Sequence, residues 1–294
     1  YNNDSGAPSG YTTAANTYAT NPNRIGASAA IVNGKLYVAG GCTSATDCTT
    51  AVNTVSYTTI DSYGGLGGWS NASGTFPSGA VRTWGKLVAA GGTLYYIGGQ
   101  DSTSTNEQST VYYGTPAGGG DVTTWTATTS LPAARTKFGA AVWNNRIYVV
   151  GGLDGSAAAT STVYVSSQQN SGGAISSWST ASTSFNVARS GPAVVAYANN
   201  LYVFGGYDGS DYLSDAQFSK ISTADGTAGS WTYTNSLPMA LSQGDAFAVN
   251  GYIYILGGRT SDTVCNPRTL VAPISANTTI ASGNNPTGVG EWYE

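Results

Sequence analysis

Short apolar runs alternate with polar, glycine-rich segments along the whole chain. The stretch from Phe138 shows the pattern most clearly. Phe138-Gly139-Ala140-Ala141-Val142-Trp143 is a small-residue apolar run, Asn144-Asn145 is a tight-turn signal, and Arg146-Ile147-Tyr148-Val149-Val150 is a second run of strand-forming residues. A glycine pair ends that run, and glycine permits positive φ or a close backbone approach. A Ser/Thr/Asp/Gly loop follows, then Thr162-Val163-Tyr164-Val165, a glycine-rich turn and a strand around Trp178. The pattern predicts four short strands in a unit of about 53 residues. No segment carries a 3.6-residue apolar period, so almost no helix is expected. The Gly/Ala-rich first strand suits the crowded centre of a radial array, and the aromatic later strands suit its wider rim.

The unit recurs. The doublets Gly40-Gly41, Gly98-Gly99, Gly151-Gly152, Gly205-Gly206 and Gly257-Gly258 follow one another at intervals of 58, 53, 54 and 52 residues. Three residues before each stands a tyrosine: Tyr37, Tyr95, Tyr148, Tyr202 and Tyr254. Sixteen residues before stands Arg24, Arg82, Arg135 or Arg189, with Leu241 in the fifth copy. A tryptophan closes each unit: Trp69, Trp125, Trp178, Trp231 and Trp292. The doublet-to-tryptophan distance varies from 26 to 35 while the Arg-to-doublet distance stays fixed, so length changes fall in the second half of each unit. Fixed offsets in successive copies mark a repeat architecture.

The pattern Arg-x-Gly-x-Ala…Tyr-x-x-Gly-Gly…Trp, seen from Arg189-Ser190-Gly191 through Tyr202-Val203-Phe204-Gly205-Gly206 to Trp231, resembles a kelch repeat. The resemblance covers nearly the whole chain. It implies an all-β, kelch-type β-propeller in which each unit is a four-stranded blade around a central channel. The expected blades are 24–69, 82–125, 135–178, 189–231 and 241–292, within a single propeller domain over 1–294. Residues 1–23 lack a Gly-Gly strand but match a blade's tail, because Asp4-Ser5-Gly6…Gly10-Tyr11 parallels Asp61-Ser62-Tyr63-Gly64…Gly68-Trp69. Five complete repeats plus the outer strands of another are therefore expected, six-bladed when closed, within a piece of a longer chain. The missing inner strands are to come from further along that chain or from a neighbouring copy.

Composition narrows the function. Only 9% of the 294 residues are charged, net charge is -4, and there is no histidine. Without imidazole, a His-bearing triad and His-ligated zinc, copper or haem are excluded, and no cofactor or metal is expected. Galactose-oxidase-like copper chemistry falls on the same ground. So few basic residues argue against nucleic acid. No run approaches 18 apolar residues, so no membrane insertion is expected. Glycosidase chemistry of the sialidase type needs paired carboxylates in unlike environments. Glu occurs only at 107, 291 and 294, none beside the arginine positions in the repeat register. Asp101, Asp154 and Asp208 follow the doublets in turn sequences where Asp bonds its own backbone. The chain is not expected to be an enzyme.

Three cysteines are present. Cys42 and Cys48 flank a short loop after the first doublet, a spacing that fits a local disulfide worth roughly 2–3 kcal/mol. Cys265, in the matching loop of the fifth copy, is left odd. A disulfide, and a Ser/Thr-rich surface with little charge, point outside the cytoplasm. The sequons at Asn3, Asn71 and Asn277 add little, because this composition produces them by chance.

In kelch propellers the loops beside the Arg and after the doublet open on one face, so the resemblance implies that Arg24, Arg82, Arg135 and Arg189 ring one channel mouth. Trp84 and Lys137 stand two residues after that position in their copies and belong nearby. These six residues form the candidate binding site for an anionic ligand or glycan; the competing reading is that the arginines bond loop carbonyls and are architectural. Two functions follow: an extracellular structural or adhesive module, such as one unit of a fibre built with other copies, or a lectin-like module for an extracellular glycan or acidic protein.

Overall fold

The computed structural model describes residues 24–43, 50–77, 80–101, 106–274 and 289–293. The partial blade expected over 1–23 lies outside the described residues, as does Cys48. Each repeat forms one antiparallel sheet whose strands pair in chain order. The first holds β1 (Ile25–Val32), β2 (Lys35–Cys42), β3 (Val55–Thr59) and β4 (Ser70–Asn71). The second holds β5 (Lys86–Ala90), β6 (Thr93–Ile97), β7 (Val111–Gly114) and β8 (Thr126–Thr128). The third holds β9 (Gly139–Trp143), β10 (Arg146–Val150), β11 (Val163–Ser166) and β12 (Trp178–Thr180). The fourth holds β13 (Ala193–Tyr197), β14 (Asn200–Tyr207), β15 (Tyr212–Ile221) and β16 (Ala228–Thr234). The fifth holds β17 (Asp245–Val249), β18 (Tyr252–Leu256) and β19 (Thr269–Pro273), with Tyr293 bridging Val271 on the outer edge. No helix occurs among the described residues, as the missing 3.6 period predicts.

Inner hairpins set each blade's register. Their two-residue turns are Asn33-Gly34, Gly91-Gly92, Asn144-Asn145, Ala198-Asn199 and Asn250-Gly251, and every one of these residues has positive φ. That conformation matches the twist of a two-residue hairpin. Small residues on the first strands allow blades to meet face to face: β1 packs on β5, β5 on β9, β9 on β13 and β13 on β17. The second strands are almost wholly buried.

Blades are tied to one another at several radii. The second glycine of each doublet donates its N–H to the carbonyl at the Arg position of the next unit: Gly41 to Arg82, Gly99 to Arg135 and Gly152 to Arg189 at 2.8 Å, and Gly206 to Leu241 at 2.7 Å. The first glycine explains the pair. A Cβ on Gly40, Gly98, Gly151 or Gly205 would stand 2.1–2.8 Å from that same carbonyl. Further out, the repeat tyrosine reaches the glycine of the next blade's outer turn: Tyr37 donates to the Gly120 carbonyl at 2.7 Å, Tyr95 to Gly173 at 2.5 Å and Tyr148 to Gly226 at 2.7 Å. At the rim two of the tryptophans hold the incoming linker by hydrogen bonds. The Trp178 indole N–H donates to the Thr129 carbonyl, that of Trp292 to Asn235, and Trp125 packs edge-on against Phe76.

Burial pushes the hydroxyls of Tyr37, Tyr95, Tyr148 and Tyr202 up to about 12 from the ordinary 10. A raised folded-state value means that unfolded chains ionise first as pH climbs. This contribution to stability is complete below pH 10 and is lost between about 10 and 12. Tyrosinate absorbance at 295 nm should therefore rise in two stages, exposed tyrosines first and the buried set together with loss of β-sheet circular dichroism. Tyr148→Phe should cost about 1 kcal/mol in denaturant melts.

Candidate functional site

The repeat arginines are spent inside the blades. Arg82, Arg135 and Arg189 are buried, and Arg24 is half-buried. Arg24 Nη1 donates to the carbonyls of Gly40 and Thr54, and its Nη2 donates to Thr54 Oγ1. Arg82 bonds the Val81 carbonyl and Thr110 Oγ1. Arg135 bonds the Ala134 carbonyl, Thr162 Oγ1 and the Tyr164 hydroxyl. Arg189 bonds the carbonyls of Val187 and Gly205 and grips both oxygens of Asp215 at 2.7 and 2.8 Å. The side chains thus turn back to the third strand of their own blade, and the expected outward guanidinium ring is not how the structure places them. Burial is tolerated because the terminal guanidinium nitrogens are hydrogen-bonded, although Nε of Arg82 and of Arg135 is buried without a partner.

Leu241 shows which half of the Arg position matters. Its carbonyl still meets Gly206, while its side chain joins the core between blades four and five. The lost guanidinium is replaced by Asn266, whose amide donates to the carbonyls of Gly257 and Arg268.

What lines the channel mouth is the residue two positions further on. Gly26, Trp84, Lys137, Gly191 and Gln243 all take left-handed φ, between 49° and 66°. They form a ladder from blade to blade: Trp84 N–H donates to the Gly26 carbonyl, Lys137 to Trp84, Gly191 to Lys137 and Gln243 to Gly191, at 2.6–2.9 Å. Trp84 and Lys137 are brought together as the sequence suggests, with the ammonium 5.3 Å from the indole centroid. Burial, then the nearby Arg259, lower the pKa of Lys137. Across the channel Lys86 Nζ meets Asp245 Oδ1 at 2.6 Å.

Beside the mouth a cavity of about 280 Å³ opens between the loops of blades three, four and five, lined by Lys137, Tyr207, Tyr212, Gln243, Arg259 and Asp262. Tyr212 donates to Asp262 at 2.8 Å, and the Tyr207 and Tyr212 rings lie 5.1 Å apart. Glu107 also reaches this side, accepting from Gln100 and lying close enough to raise the affinity of Lys137 for its proton. Apart from Lys137, sequence reasoning did not assign these residues to the site. The signal was available for two of them: Gln243 is the fifth copy of the Trp84/Lys137 position, and Arg259 directly follows its doublet, as Tyr207 does.

Two of the three turn aspartates behave as read, while Asp101 Oδ2 accepts from the side-chain amide of Asn106. Asp154 accepts from the amides of Ser156 and Ala158, and Asp208 from those of Ser210 and Asp211. These bonds hold both carboxyls below the usual range. Asp225 is held at about 2 by Ser222 and Thr227. Among the described residues no three His, Cys, Asp or Glu side chains are placed to hold a metal. Cys265 is free and exposed.

The family model for the Kelch motif matches residues 23–57, 134–165 and 188–217. Those segments carry the Arg, the tyrosine and the glycine doublet of the first, third and fourth blades. The chain is a kelch-repeat β-propeller. Kelch-like protein terF of Aspergillus terreus is 28% identical over 46% of this propeller, and Alpha-scruin of Limulus polyphemus is 31% identical over 48%. The propeller spans 28% and 15% of those two relatives, less than a third of their length. The solved structure of YjhT superposes with a TM-score of 0.68 at 14% identity, over 86% of this chain and 82% of that one, and so shares the fold.

Buried, paired and mouth-facing residues of this kelch propeller should respond to substitution to different extents. Arg189→Ala leaves Asp215 without its partner at a buried edge and should lower unfolding free energy by about 3–5 kcal/mol. Lys86→Ala removes a pair that stands in solvent and should change it by less than about 1 kcal/mol. Lys137→Gly and Gln243→Gly relieve left-handed backbone and should leave stability unchanged or raise it by about 0.5–1 kcal/mol. Urea denaturation of the four variants reads all of this.

Proposed function

We propose that this kelch propeller is a non-catalytic, extracellular structural or adhesive module that holds other proteins or other copies of itself, as one unit of a surface assembly. The observation that carries the reading is where its charge goes. Arg82, Arg135 and Arg189 are buried in blade edges, and the carboxyls of Asp121, Asp154, Asp208 and Asp225 are each held below the usual range. A general acid near neutral pH needs a carboxyl displaced upward. The surface left over is polar, with little charge to oppose close association. Resemblance to Alpha-scruin and to Kelch-like proteins supports binding or scaffolding over turnover. Placement outside the cell would go with a disulfide between Cys42 and Cys48, and thiol counting before and after reduction tests for it: one free thiol rising to three.

A second reading has one specific observation in its favour: the channel mouth. Trp84, Lys137 and Gln243 occupy left-handed positions where Gly26 and Gly191 avoid strain, and bulky residues kept in such conformations cluster at binding sites. With Arg259 and the Tyr207–Tyr212 pair beside them, they suit an anionic glycan or acidic peptide. Light scattering and electron microscopy of purified protein separate the two. Concentration-dependent particles larger than 29.9 kDa support the assembly. Discrete monomers that bind acidic glycans or peptides on an array, with binding lost in Trp84→Ala and Lys137→Ala, support the mouth. Steady hydrolysis of aryl glycosides would sink both.

A further inference from the structure

Each first strand runs from the channel mouth to its hairpin, so the hairpin turns and the outer turns lie on the opposite face of the propeller. On that face a cavity of about 130 Å³ opens between blades three and four. Trp143, Asn144 and Arg146 of the β9–β10 hairpin form one wall, with Gln168 beyond the end of β11. Asn199 of the β13–β14 turn and the turn that follows β15 form the other.

The two large side chains of this cavity depart from the repeat. The position of Trp143 is filled by Val32, Ala90, Tyr197 and Val249 in the other blades, and that of Arg146 by Lys35, Thr93, Asn200 and Tyr252. Blade three alone pairs an indole with a cation there, so the blade architecture does not require the two. Both are nonetheless held in place. The Trp143 indole N–H donates across the junction to Asn199 Oδ1 at 2.8 Å. Arg146 Nη1 donates to the Ser166 carbonyl at 3.0 Å. The Arg146 side chain also lies over Gly226, where a Cβ would overlap its Cδ and Nε. Gln168 Nε2 donates to the Asn144 carbonyl at 3.2 Å.

The charge of Arg146 is left over. Lys86 and Arg189 each have a carboxylate partner, whereas no carboxylate stands within ion-pair distance of Arg146 among the described residues. Asp225, in the adjoining turn, is closed on Thr227, which donates to its Oδ1 from both the backbone and the hydroxyl. A guanidinium fork with donors to spare suits a ligand that brings a carboxylate. The size of the space says more. About 130 Å³ takes roughly ten water-sized groups, more than a bare carboxylate fills and near what one sugar ring with its substituents occupies.

We propose that this cavity binds a single hexuronic-acid unit. The carboxylate takes the remaining donors of Arg146, the C–H face of the ring lies on the Trp143 indole, and the ring hydroxyls meet the side-chain amides of Asn144, Gln168 and Asn199. This goes beyond the proposed function: the site is on the face away from the mouth and stands whether or not the mouth holds a ligand.

The probes are methyl glucuronide and methyl galacturonide, with methyl glucoside and acetate as the two halves of the ligand, titrated into the ¹⁵N-labelled 294-residue chain. Of the seven indole N–H signals, the one lost in Trp143→Phe reports on the cavity. At least one uronide should shift that signal saturably at millimolar concentration, binding at least tenfold more tightly than glucoside or acetate. Arg146→Gln should weaken the uronide at least tenfold. Gln168 is exposed, and Gln168→Glu offers Arg146 a carboxylate from within the chain. That variant should weaken binding to the same extent at an unchanged melting temperature. The proposal is overturned if neither uronide moves the Trp143 signal, if glucoside or acetate binds as tightly, or if either variant binds like the parent.

Discussion

The whole propeller depends on one close approach: a backbone carbonyl seated on a pair of glycines in the neighbouring blade. Gly41, Gly99, Gly152 and Gly206 each donate an N–H to it, and the glycine before each leaves the space in which it sits. No other residue fits, because a Cβ there meets an oxygen inside van der Waals contact and the backbone is left-handed as well. The contact fixes the distance between blades. Once it is fixed, the small residues of the inner strands meet, the tyrosine hydroxyls reach the next outer turn, and the indoles meet the linkers. The arginine serves this approach by holding the strands around it. The fifth blade demonstrates the division: with Leu241 the carbonyl contact survives, and Asn266 supplies the hydrogen bonds to Gly257 and Arg268.

That economy explains a protein with so little charge. A cation buried at every blade edge would be costly unless its donors were met, and the donors of Arg189 find two carbonyls and a carboxylate. The turn aspartates Asp154 and Asp208 are likewise closed on the amides of their own turns. Hydroxyls and amides do the remaining polar work, as at Ser56 with Asn71 and Thr183 with Gly229. Charge is used where geometry needs a strong bond and is scarce elsewhere.

Much of the fold was legible because it is periodic. Blade order, the hairpin turn at Asn144-Asn145, the inner position of Gly/Ala-rich strands and the linker-holding tryptophans follow from offsets between like residues. The direction of a side chain does not. The register puts the Cα of Arg82, Arg135 and Arg189 beside the mouth, but whether the guanidinium points out or back is decided by which acceptors the third strand offers. Thr110, Thr162 and Asp215 differ between copies, so no repeat pattern announces them. Trp84 and Lys137 were legible as neighbours because they share one offset. Tyr212, Asp262 and Glu107 come from loops of unequal length, and their convergence depends on loop paths that spacing does not encode.

Agreement between copies and function therefore pull apart in this molecule. Where the five units carry the same residue, the contact it makes is between or within blades. Where they differ although the backbone is the same, the side chain is released from that duty. The left-handed mouth position separates the two cases most sharply. Glycine serves it without strain in blades one and four, so the ladder does not need Trp84, Lys137 or Gln243. Three larger residues bear the cost of a left-handed backbone there. All three line a cavity of about 160 Å³ at the mouth, to which every blade contributes, and Lys137 and Gln243 also line the one of about 280 Å³ beside it, between blades three, four and five. Because the other two left-handed positions are glycine, the side chains offered from this position come only from blades two, three and five, where a ring of repeat arginines would have drawn on four blades.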